Sequence, residues 1–186
     1  LTTLYTVNGS NLVVGGKLNV SAAGAVTQSG ALQVFGATTV NAGSGGTKYD
    51  ITLSNAANNF SGDVSLSGNN VSLTNSGVLL LGAVSAPGTF TLKAVGTISP
   101  TAAVNVGTFD LQGGDWRQVN ATLPTFSATD FRISGGSFLR ALSGDGTSSE
   151  KAYKITDVYG LQGMGSAGML DKYYSLANDI DASGTS

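Results

Sequence analysis

The chain has 186 residues, of which 41% are hydrophobic and only 11% are charged, and its formal net charge is −2. This hydrophobic content is enough to build a core and excludes an intrinsically disordered chain. The few cations exclude the basic face that a nucleic-acid partner requires, and the absence of Cys excludes disulfides and thiolate metal sites.

Short alternating segments run from residue 12 to residue 111, each with two apolar residues flanking a third residue, which is polar in nearly all of them. A period of two predicts short strands with one side in a core. Gly, Asn, Ser or Ala lies at nearly every break, which indicates repeated turns. The predicted strands are Leu12–Val14, Leu18–Val20, Leu32–Val34, Ile51–Leu53, Val64–Leu66, Val71–Leu73, Phe90–Leu92, Val104–Val106 and Phe109–Leu111.

An eleven-residue pattern occurs twice in the chain. Residues 16–26 and 88–98 share the order Gly-x-Φ-x-Φ-x-Ala-x-Gly-x-Φ, where Φ is apolar. The two copies, with similar material between them, predict a solenoid with coils of roughly 20 residues. We therefore predict an all-β fold, a right-handed parallel β-helix, with Asn ladders at its corners. The Asn residues expected there are Asn19, Asn41, Asn55, Asn58, Asn69, Asn70, Asn75 and Asn105.

The composition changes near residue 110. Residues 1–109 hold five charged side chains, and the remaining 77 residues hold fifteen. We predict that coils continue through residues 131–133 and 137–139, because both segments keep the alternating pattern. The Gly-, Ser- and Asp-rich residues 144–149 then predict an exposed loop.

The last part of the chain predicts a small module. Tyr153–Ile155 and Tyr173–Leu176 have strand patterns, and Thr156–Met164 predicts a short helix with Thr156 or Asp157 as its cap. The predicted organisation is a β-helix shaft over residues 1–142. A loop and a strand-helix-strand module, inserted or capping, would follow over residues 143–186.

Three stretches resemble the filamentous-haemagglutinin-type exoproteins of two-partner secretion. They are residues 24–34, residues 50–64, which are similar to a unit that such shafts repeat, and residues 173–183, which are similar to a module that interrupts them. The resemblance implies a right-handed β-helix, export through an outer-membrane pore partner and display as a rod on the bacterial surface. It also implies a role in adhesion, biofilm aggregation or presentation of a toxic tip.

We therefore expect a structural segment of a secreted, extracellular adhesin, cut from a longer chain. Its partners would be a glycan, matrix or cell-surface receptor, or like molecules on other cells, and the pore would bind a region outside this chain. No transmembrane segment is expected, because no stretch approaches the ~20 apolar residues that cross a bilayer. The shaft of a contact-dependent toxin delivery protein is an alternative.

An enzyme is the first alternative to the adhesin, since parallel β-helices also host polysaccharide lyases and hydrolases. Glycoside hydrolysis uses two carboxylates, and the candidates are Asp110, Asp115 and Asp130, with Arg132 to hold a uronic acid. An enzyme predicts these four residues in one groove, whereas a rod predicts them scattered. A surface ion pair beside turn residues is the plainer interpretation, and we expect no enzymatic activity.

Aromatic side chains give a candidate binding surface. Trp116 with Arg117, and Tyr173 with Tyr174, would form a platform for a sugar or a partner protein if their side chains are exposed. The alternative is that these rings fill the core and pack the module.

Oxygen-bearing side chains near the end give a candidate calcium site. Asn178, Asp179 and Asp181 offer ligands of the type that Ca²⁺ accepts. The run lacks the spacing of a known calcium loop, so turn capping is the alternative. We expect no other metal and no organic cofactor.

Overall fold

The computed structural model describes the backbone of residues 2–4 and the whole of residues 11–183. Residues 1, 5–10 and 184–186 belong to the predicted shaft and module and lie outside the described residues. The described strands are β1 (Thr2–Leu4), β2 (Leu12–Val14), β3 (Leu18–Ala22), β4 (Val26–Gln28), β5 (Leu32–Val34), β6 (Thr38–Ser44), β7 (Thr47–Lys48), β8 (Ile51–Leu53), β9 (Asn59–Phe60), β10 (Val64–Ser67), β11 (Val71–Asn75), β12 (Leu79–Pro100), β13 (Val104–Val119), β14 (Phe126–Ile133), β15 (Ser137–Ala141), β16 (Tyr153–Ile155) and β17 (Tyr174–Leu176). The described helix is α1 (Val158–Gly163).

The strands of the shaft stack into three faces with parallel pairing, except for β7, which pairs antiparallel with the end of β6. Face 1 contains β3, β6, β10 and the first residues of β12, β13 and β14. Face 2 contains β1, β4, β8, β11, the middle of β12 and β13, and the end of β14. Face 3 contains β2, β5, β9, the ends of β12 and β13, and β15. The fold is a parallel β-helix of about eight turns, which confirms the predicted fold class.

Successive coils place like residues on one another. On face 2, Val71 pairs with Phe90, Phe90 with Phe109 and Phe109 with Phe131, at separations of 19, 19 and 22 residues. These separations confirm the predicted coil of roughly 20 residues. Val71, Phe90 and Phe109 are fully buried, so this inward row forms part of a continuous core.

The recurring eleven-residue pattern lies at two different places in the coil. Leu18 of the first copy pairs on face 1 with Thr38, whereas Phe90 of the second copy pairs on face 2 with Val71. The pattern therefore reflects a strand, a corner and a second strand in succession, an order that occurs at more than one corner of the coil. It does not mark one position of the coil.

Buried amide side chains hold the corner between faces 2 and 3. Asn58 exchanges two hydrogen bonds with Gln28 of the preceding coil, at 2.8 and 2.9 Å, and accepts a third from the Leu32 N–H at 2.9 Å. Asn75 accepts a hydrogen bond from the Phe60 N–H at 2.9 Å. These amides satisfy backbone groups that the turns leave without strand partners. At this corner the predicted Asn ladder is a mixed stack of Asn and Gln.

Asp50 holds the corner between faces 1 and 2. Its Oδ1 accepts a hydrogen bond from the Asn70 N–H at 2.9 Å and one from each side-chain amide of Asn69 and Asn70, at 3.1 and 3.0 Å. The backbone hydrogen bond from Asn70 lowers the pKa of the Asp50 carboxyl from its ordinary 3.8, against the opposing effect of slight burial, and the two amides add to it. The ionised carboxylate therefore stabilises the folded chain.

The Asp50→Asn variant should show a weaker loss of stability in acid than the wild type. Because the folded-state pKa is depressed, the stabilisation by Asp50 is present above the unfolded-state pKa and is lost as the pH falls through the folded-state pKa. The measurement is the melting temperature of both proteins from about pH 6 to about pH 2, which spans that window. Parallel curves over the whole range would contradict a stabilising role for this carboxylate.

Residues after the last coil form the predicted strand-helix-strand arrangement. β16 and β17 pair in parallel, with Tyr153 beside Tyr174. Asp157 caps α1 by accepting a hydrogen bond from the Gly160 N–H at 2.9 Å, which confirms the predicted helix and one of its two proposed caps. Among the described residues no helix is long and apolar enough to span a membrane. The domain boundary at residue 142 stays a prediction.

Candidate functional site

Aromatic side chains fill the last coils of the shaft. The central ring belongs to Phe109, and its centroid lies 5.2–6.1 Å from those of five other rings. Most of these pairs are tilted or edge-to-face, the arrangement that brings a positive ring edge to a negative ring face. The five partners are Phe90, Trp116, Phe126, Phe131 and Phe138.

The segment around α1 closes part of the end of the β-helix. Among the described residues β14 and β15 each pair with β13 alone, so the backbone groups on their outer edges lack strand partners there. The Tyr159 hydroxyl accepts a hydrogen bond from the Ala128 N–H and donates one to the Ala128 carbonyl, both at 2.9 Å. Ser166 Oγ accepts a hydrogen bond from the Phe138 N–H at 2.9 Å. Two side chains thus supply hydrogen-bond partners to this edge on faces 1 and 3.

Two glycines let α1 lie directly on β15. Gly160 and Gly163 are both buried. A Cβ atom at Gly160 would lie 2.6 Å from the carbonyl oxygen of Arg140, and one at Gly163 would overlap the carbonyl oxygen of Phe138. Glycine is a poor helix former, so close approach of the two backbones explains its presence in this helix.

The Gly163→Ala variant should be less stable than the wild type, although alanine favours a helix. The overlap with Phe138 must be relieved by lifting α1 from β15, which we expect to cost about 1–3 kcal/mol. Gly165→Ala is the matched control, because the nearest atom to a Cβ there, the Gln162 carbonyl oxygen, lies 3.6 Å away. Urea unfolding of both variants checks the prediction, and equal stabilities would show that α1 does not need the close approach.

Arg140 points into the end of the core, and Asp157 neutralises it. The Arg140 side chain is 7% exposed, and its Nε donates to Asp157 Oδ2 at 2.6 Å. Its Nη1 donates to Gln118 Oε1 at 2.6 Å, and its guanidinium carbon lies 6.0 Å from the ring centroid of Phe126. A charge in such a place needs partners, because leaving water is costly. The ion pair therefore fixes the start of α1 to β15.

The module also packs on the outer side of face 3. Leu139 and Ala141 point outward from β15 and yet are buried. They belong to a second apolar cluster with Tyr153, Ile155 and Met169. This cluster attaches the module to the side of the shaft, while α1 covers its end.

The candidate catalytic residues do not all share one groove. Asp130 and Arg132 form an ion pair on the outer side of face 2, and the hydrogen bond to Asp130 raises the pKa of the Arg132 guanidinium. Asp110 pairs in register with Arg132 on the same face. Asp115 lies on face 3, where it accepts a hydrogen bond from Ser137 Oγ at 2.9 Å. Three of the four residues are therefore neighbours, and the fourth lies around a corner.

Trp116 and Arg117 point in opposite directions, as successive residues of a strand do. Trp116 is 1% exposed in the core, and its Nε1 has no hydrogen-bond partner among the described residues. Arg117 is exposed on face 3. The structure thus corrects the predicted platform: the Trp116 ring fills the core and is not available to a ligand.

The two tyrosines of the predicted platform lie on the module. Tyr173 is 50% exposed. Tyr174 is half-buried, its hydroxyl donates to the Met169 carbonyl at 2.7 Å, and burial raises its pKa. Ligand binding by Arg117, Tyr173 or Tyr174 stays a prediction.

The candidate calcium ligands make local hydrogen bonds. Asn178 Nδ2 donates to the carbonyls of Thr156 and Asp179, at 3.1 and 2.6 Å. Asp181 Oδ1 accepts a hydrogen bond from the Ser183 N–H at 2.9 Å, and hydrogen bonds from the Ser183 side chain and backbone lower the pKa of Asp181. Across residues 11–183, no group of three His, Cys, Asp or Glu side chains is placed to hold a metal ion. Calcium binding here stays a prediction.

A cleft of about 490 Å³ lies between the last coil and the segment that caps it. One wall is formed within residues 131–136, where face 2 turns toward face 3. The other wall is formed within residues 162–167, from the end of α1 onward. The lining combines half-buried apolar side chains, small hydroxyls and the exposed amide of Gln162, and it contains no charged residue.

A family model described as "Repeats of unknown function (DUF5649)" matches residues 2–67 and again residues 68–117. The chain belongs to this repeat family. The DUF5649 match covers the shaft as far as Arg117, so β14, β15 and the module lie beyond it. No curated protein and no solved structure matches the chain. Membership of the DUF5649 repeats and the coiled fold together establish a repeat β-helix protein.

Two residues that build this end were not candidates from the sequence. Arg140 could have been identified as part of this end, because it occupies an inward position in the alternation of residues 137–141. A charge at an inward position requires a buried partner. Ser166 could not have been identified from the sequence, since it lies in a Gly-rich stretch without a periodic pattern. Its role depends on where the end of α1 meets Phe138.

Proposed function

We propose that this chain is a structural segment of a secreted bacterial surface adhesin, a stiff β-helical rod that mediates attachment or aggregation. The observation that carries the proposal is the unbroken stack of coils around one hydrophobic core. About eight turns, at ~4.8 Å each, give a rod on the order of 40 Å long. Such a rod carries binding surfaces away from a cell.

The outer side of face 1 offers the most regular surface for attachment. Its strands place hydroxyl and amide side chains in register on six successive coils. Each group forms a weak contact, and repetition along the rod turns weak contacts into avidity. The row consists of Ser21, Asn41, Ser67, Ser85, Asn105 and Ser127.

Export through an outer-membrane pore partner is part of the proposal. It is supported by the resemblance of residues 24–34, 50–64 and 173–183 to exoproteins of two-partner secretion. The absence of Cys is compatible with this route, because a chain without Cys crosses an oxidising compartment without forming disulfides.

The position of Asp115 supports the rod over the enzyme. An acid-base pair must flank one bond of the substrate, whereas Asp115 and Asp130 lie on different faces. The neighbouring Asp110 and Asp130 remain on one exposed surface beside Arg132, and they are the residues that a test for catalysis must include.

A glycan and extracellular-matrix array, combined with reducing-end assays on acidic polysaccharides, tests the proposal. We expect binding without turnover. A Ser21→Glu variant should bind less, because it adds a negative charge to a row of six uncharged side chains, at the end away from the Lys48 ammonium that bonds to Ser85. Thr52→Glu on the outer side of face 2 is the matched control. Cleavage of a polysaccharide that is lost in the Asp130→Asn variant would support an enzyme instead. Absence of binding on the array would contradict attachment through this segment.

A further inference from the structure

The hairpin formed by the end of β6 and by β7 is an insertion into one coil. Residues 43–44 pair antiparallel with residues 47–48. On face 2, paired residues are 25 apart where the hairpin lies between them, from Val26 to Ile51, and 20 apart one coil later, from Ile51 to Val71. The stack of coils itself therefore does not require the hairpin.

Lys48 reaches from this hairpin onto the outer side of face 1. Its Nζ donates to Ser85 Oγ at 2.6 Å and to the Ser85 carbonyl oxygen at 3.2 Å. Lys48 is half-buried, and among the described residues it forms no ion pair. Asp50, two residues further along the chain, bonds to Asn69 and Asn70 instead. A half-buried cation with only neutral partners attracts an anion, because a carboxylate offsets the hydration that the cation has lost.

A groove on the outer side of face 1 leads to this ammonium. A hollow of about 460 Å³ is lined by Lys48, Ser85, Asn105, Ser127 and Thr129, and no acidic residue of the described chain lines it. A second hollow of about 250 Å³ shares Ser85 and Asn105 and continues to the coils of β6 and β10. The two hollows, which we call the Lys48 groove, cross five coils over about 20 Å. The groove lies on the side of the shaft, so it does not depend on how the stack ends.

The charges around the Lys48 groove favour a ligand with few, well-separated negative charges. Lys48 is the one cation among the described residues that line it. Asp50 and Asp63 are exposed at the two corners that border face 1, and they would repel a densely charged chain. Hydroxyl and amide side chains recur once per coil, at ~4.8 Å, which is similar to the spacing of hydroxyl groups along an extended polysaccharide.

We propose that the Lys48 groove binds an unbranched, unsulfated polysaccharide in which uronic acids alternate with neutral sugars. A carboxylate of the ligand accepts a hydrogen bond from the third N–H of the Lys48 ammonium, beyond the two that Ser85 accepts. The neutral sugars exchange hydrogen bonds with uncharged side chains such as Asn105 and Ser67. This assignment rests on the proposed function, since it names the ligand class of the attachment surface on face 1.

Fluorescent hyaluronan oligosaccharides have this chemistry and serve as the probe. The 186-residue chain should give saturable binding in fluorescence anisotropy. Oligosaccharides whose carboxyl groups have been reduced to alcohols should bind about tenfold more weakly, because a hydrogen bond between charged groups is lost. Lys48→Gln should weaken binding of the acidic probe by the same factor and leave binding of the reduced probe unchanged. Lys93→Gln is the matched control, because Lys93 is exposed on the outer side of face 2, and it should bind as the wild type does.

Ser85→Asp gives a second test that keeps Lys48 in place. The new carboxylate lies beside the ammonium and competes with that of the ligand, so binding of the acidic probe should fall about tenfold. Melting curves followed by circular dichroism verify that each variant is folded.

Equal binding of the acidic probe by Lys48→Gln and the wild type would overturn the proposal. So would tighter binding of heparin, which is densely sulfated, or of a polyglutamate peptide than of hyaluronan. Attachment to other glycans or to matrix proteins without dependence on Lys48 would remove this ligand and leave the adhesin in place. Absence of binding to every ligand on the array would remove both, so the two proposals fail distinguishably.

Discussion

Replacing Phe109 with alanine should lower the free energy of unfolding by about 3–5 kcal/mol, because it opens a large cavity in the core. Phe109 is fully buried and contacts five other rings. The surrounding strands are fixed by ladders above and below, so they cannot move inward to fill the space. Urea or thermal unfolding followed by circular dichroism measures the loss.

Phe35→Ala is the matched control for this variant. It removes the same atoms from a side chain that is 60% exposed, so its effect should be within about 0.5 kcal/mol. Similar losses in both variants would show that Phe109 does not lie at the centre of the core.

Replacing Asp157 with alanine should lower the free energy of unfolding by about 2–4 kcal/mol, since it leaves a buried cation without its partner. Arg140 would keep its hydrogen bond to Gln118 but lose the carboxylate, and α1 would lose its N-cap. The same unfolding experiment measures the total loss. Hydrogen exchange at the Ala128 and Phe138 amides shows whether the cap has opened.

Asp130→Ala is the control for the ion pair. It breaks a pair with the same chemistry, but Arg132 is 63% exposed, and surface pairs contribute at most about 1 kcal/mol. A combined Arg140→Met and Asp157→Leu variant should be more stable than Asp157→Ala, because no unpaired charge remains. If Asp157→Ala and Asp130→Ala lose equal stability, the pair at the end of the shaft is not effectively buried.

The strands were predictable because their inward and outward residues alternate locally. Leu32, Gln33 and Val34 show this, since the two apolar side chains are buried and Gln33 between them is half-buried. The coil length was predicted from two copies of an eleven-residue pattern with similar material between them, and it is confirmed although the copies lie at different places in the coil. The face on which each strand lies did not follow, because a corner between faces 1 and 2 and a corner between faces 2 and 3 use the same residue types. For this reason the shared pattern of residues 16–26 and 88–98 did not reveal that the two segments lie at different places in the coil.

The candidate site was predictable only where its contacts are local. Asp157 was identified as a cap because a cap bonds within one turn of its own helix. Its partner Arg140 was not identified, since 17 residues separate them and only the docking of α1 on β15 brings them together. Two interpretations of Trp116 were open, a surface platform and a core residue, and the structure supports the core. Alternation sends consecutive side chains to opposite sides of a strand, so Trp116 and Arg117 do not face one ligand.

Attachment by the folded rod is tested most directly with beads in flow. Beads coated with the wild-type chain or with Phe109→Ala are passed over matrix-coated glass, at a temperature between the two melting temperatures. The rod hypothesis predicts that wild-type beads stay attached while beads carrying the unfolded variant wash away. Equal attachment of both kinds of bead, or attachment of neither, would contradict a folded β-helix as the unit that attaches.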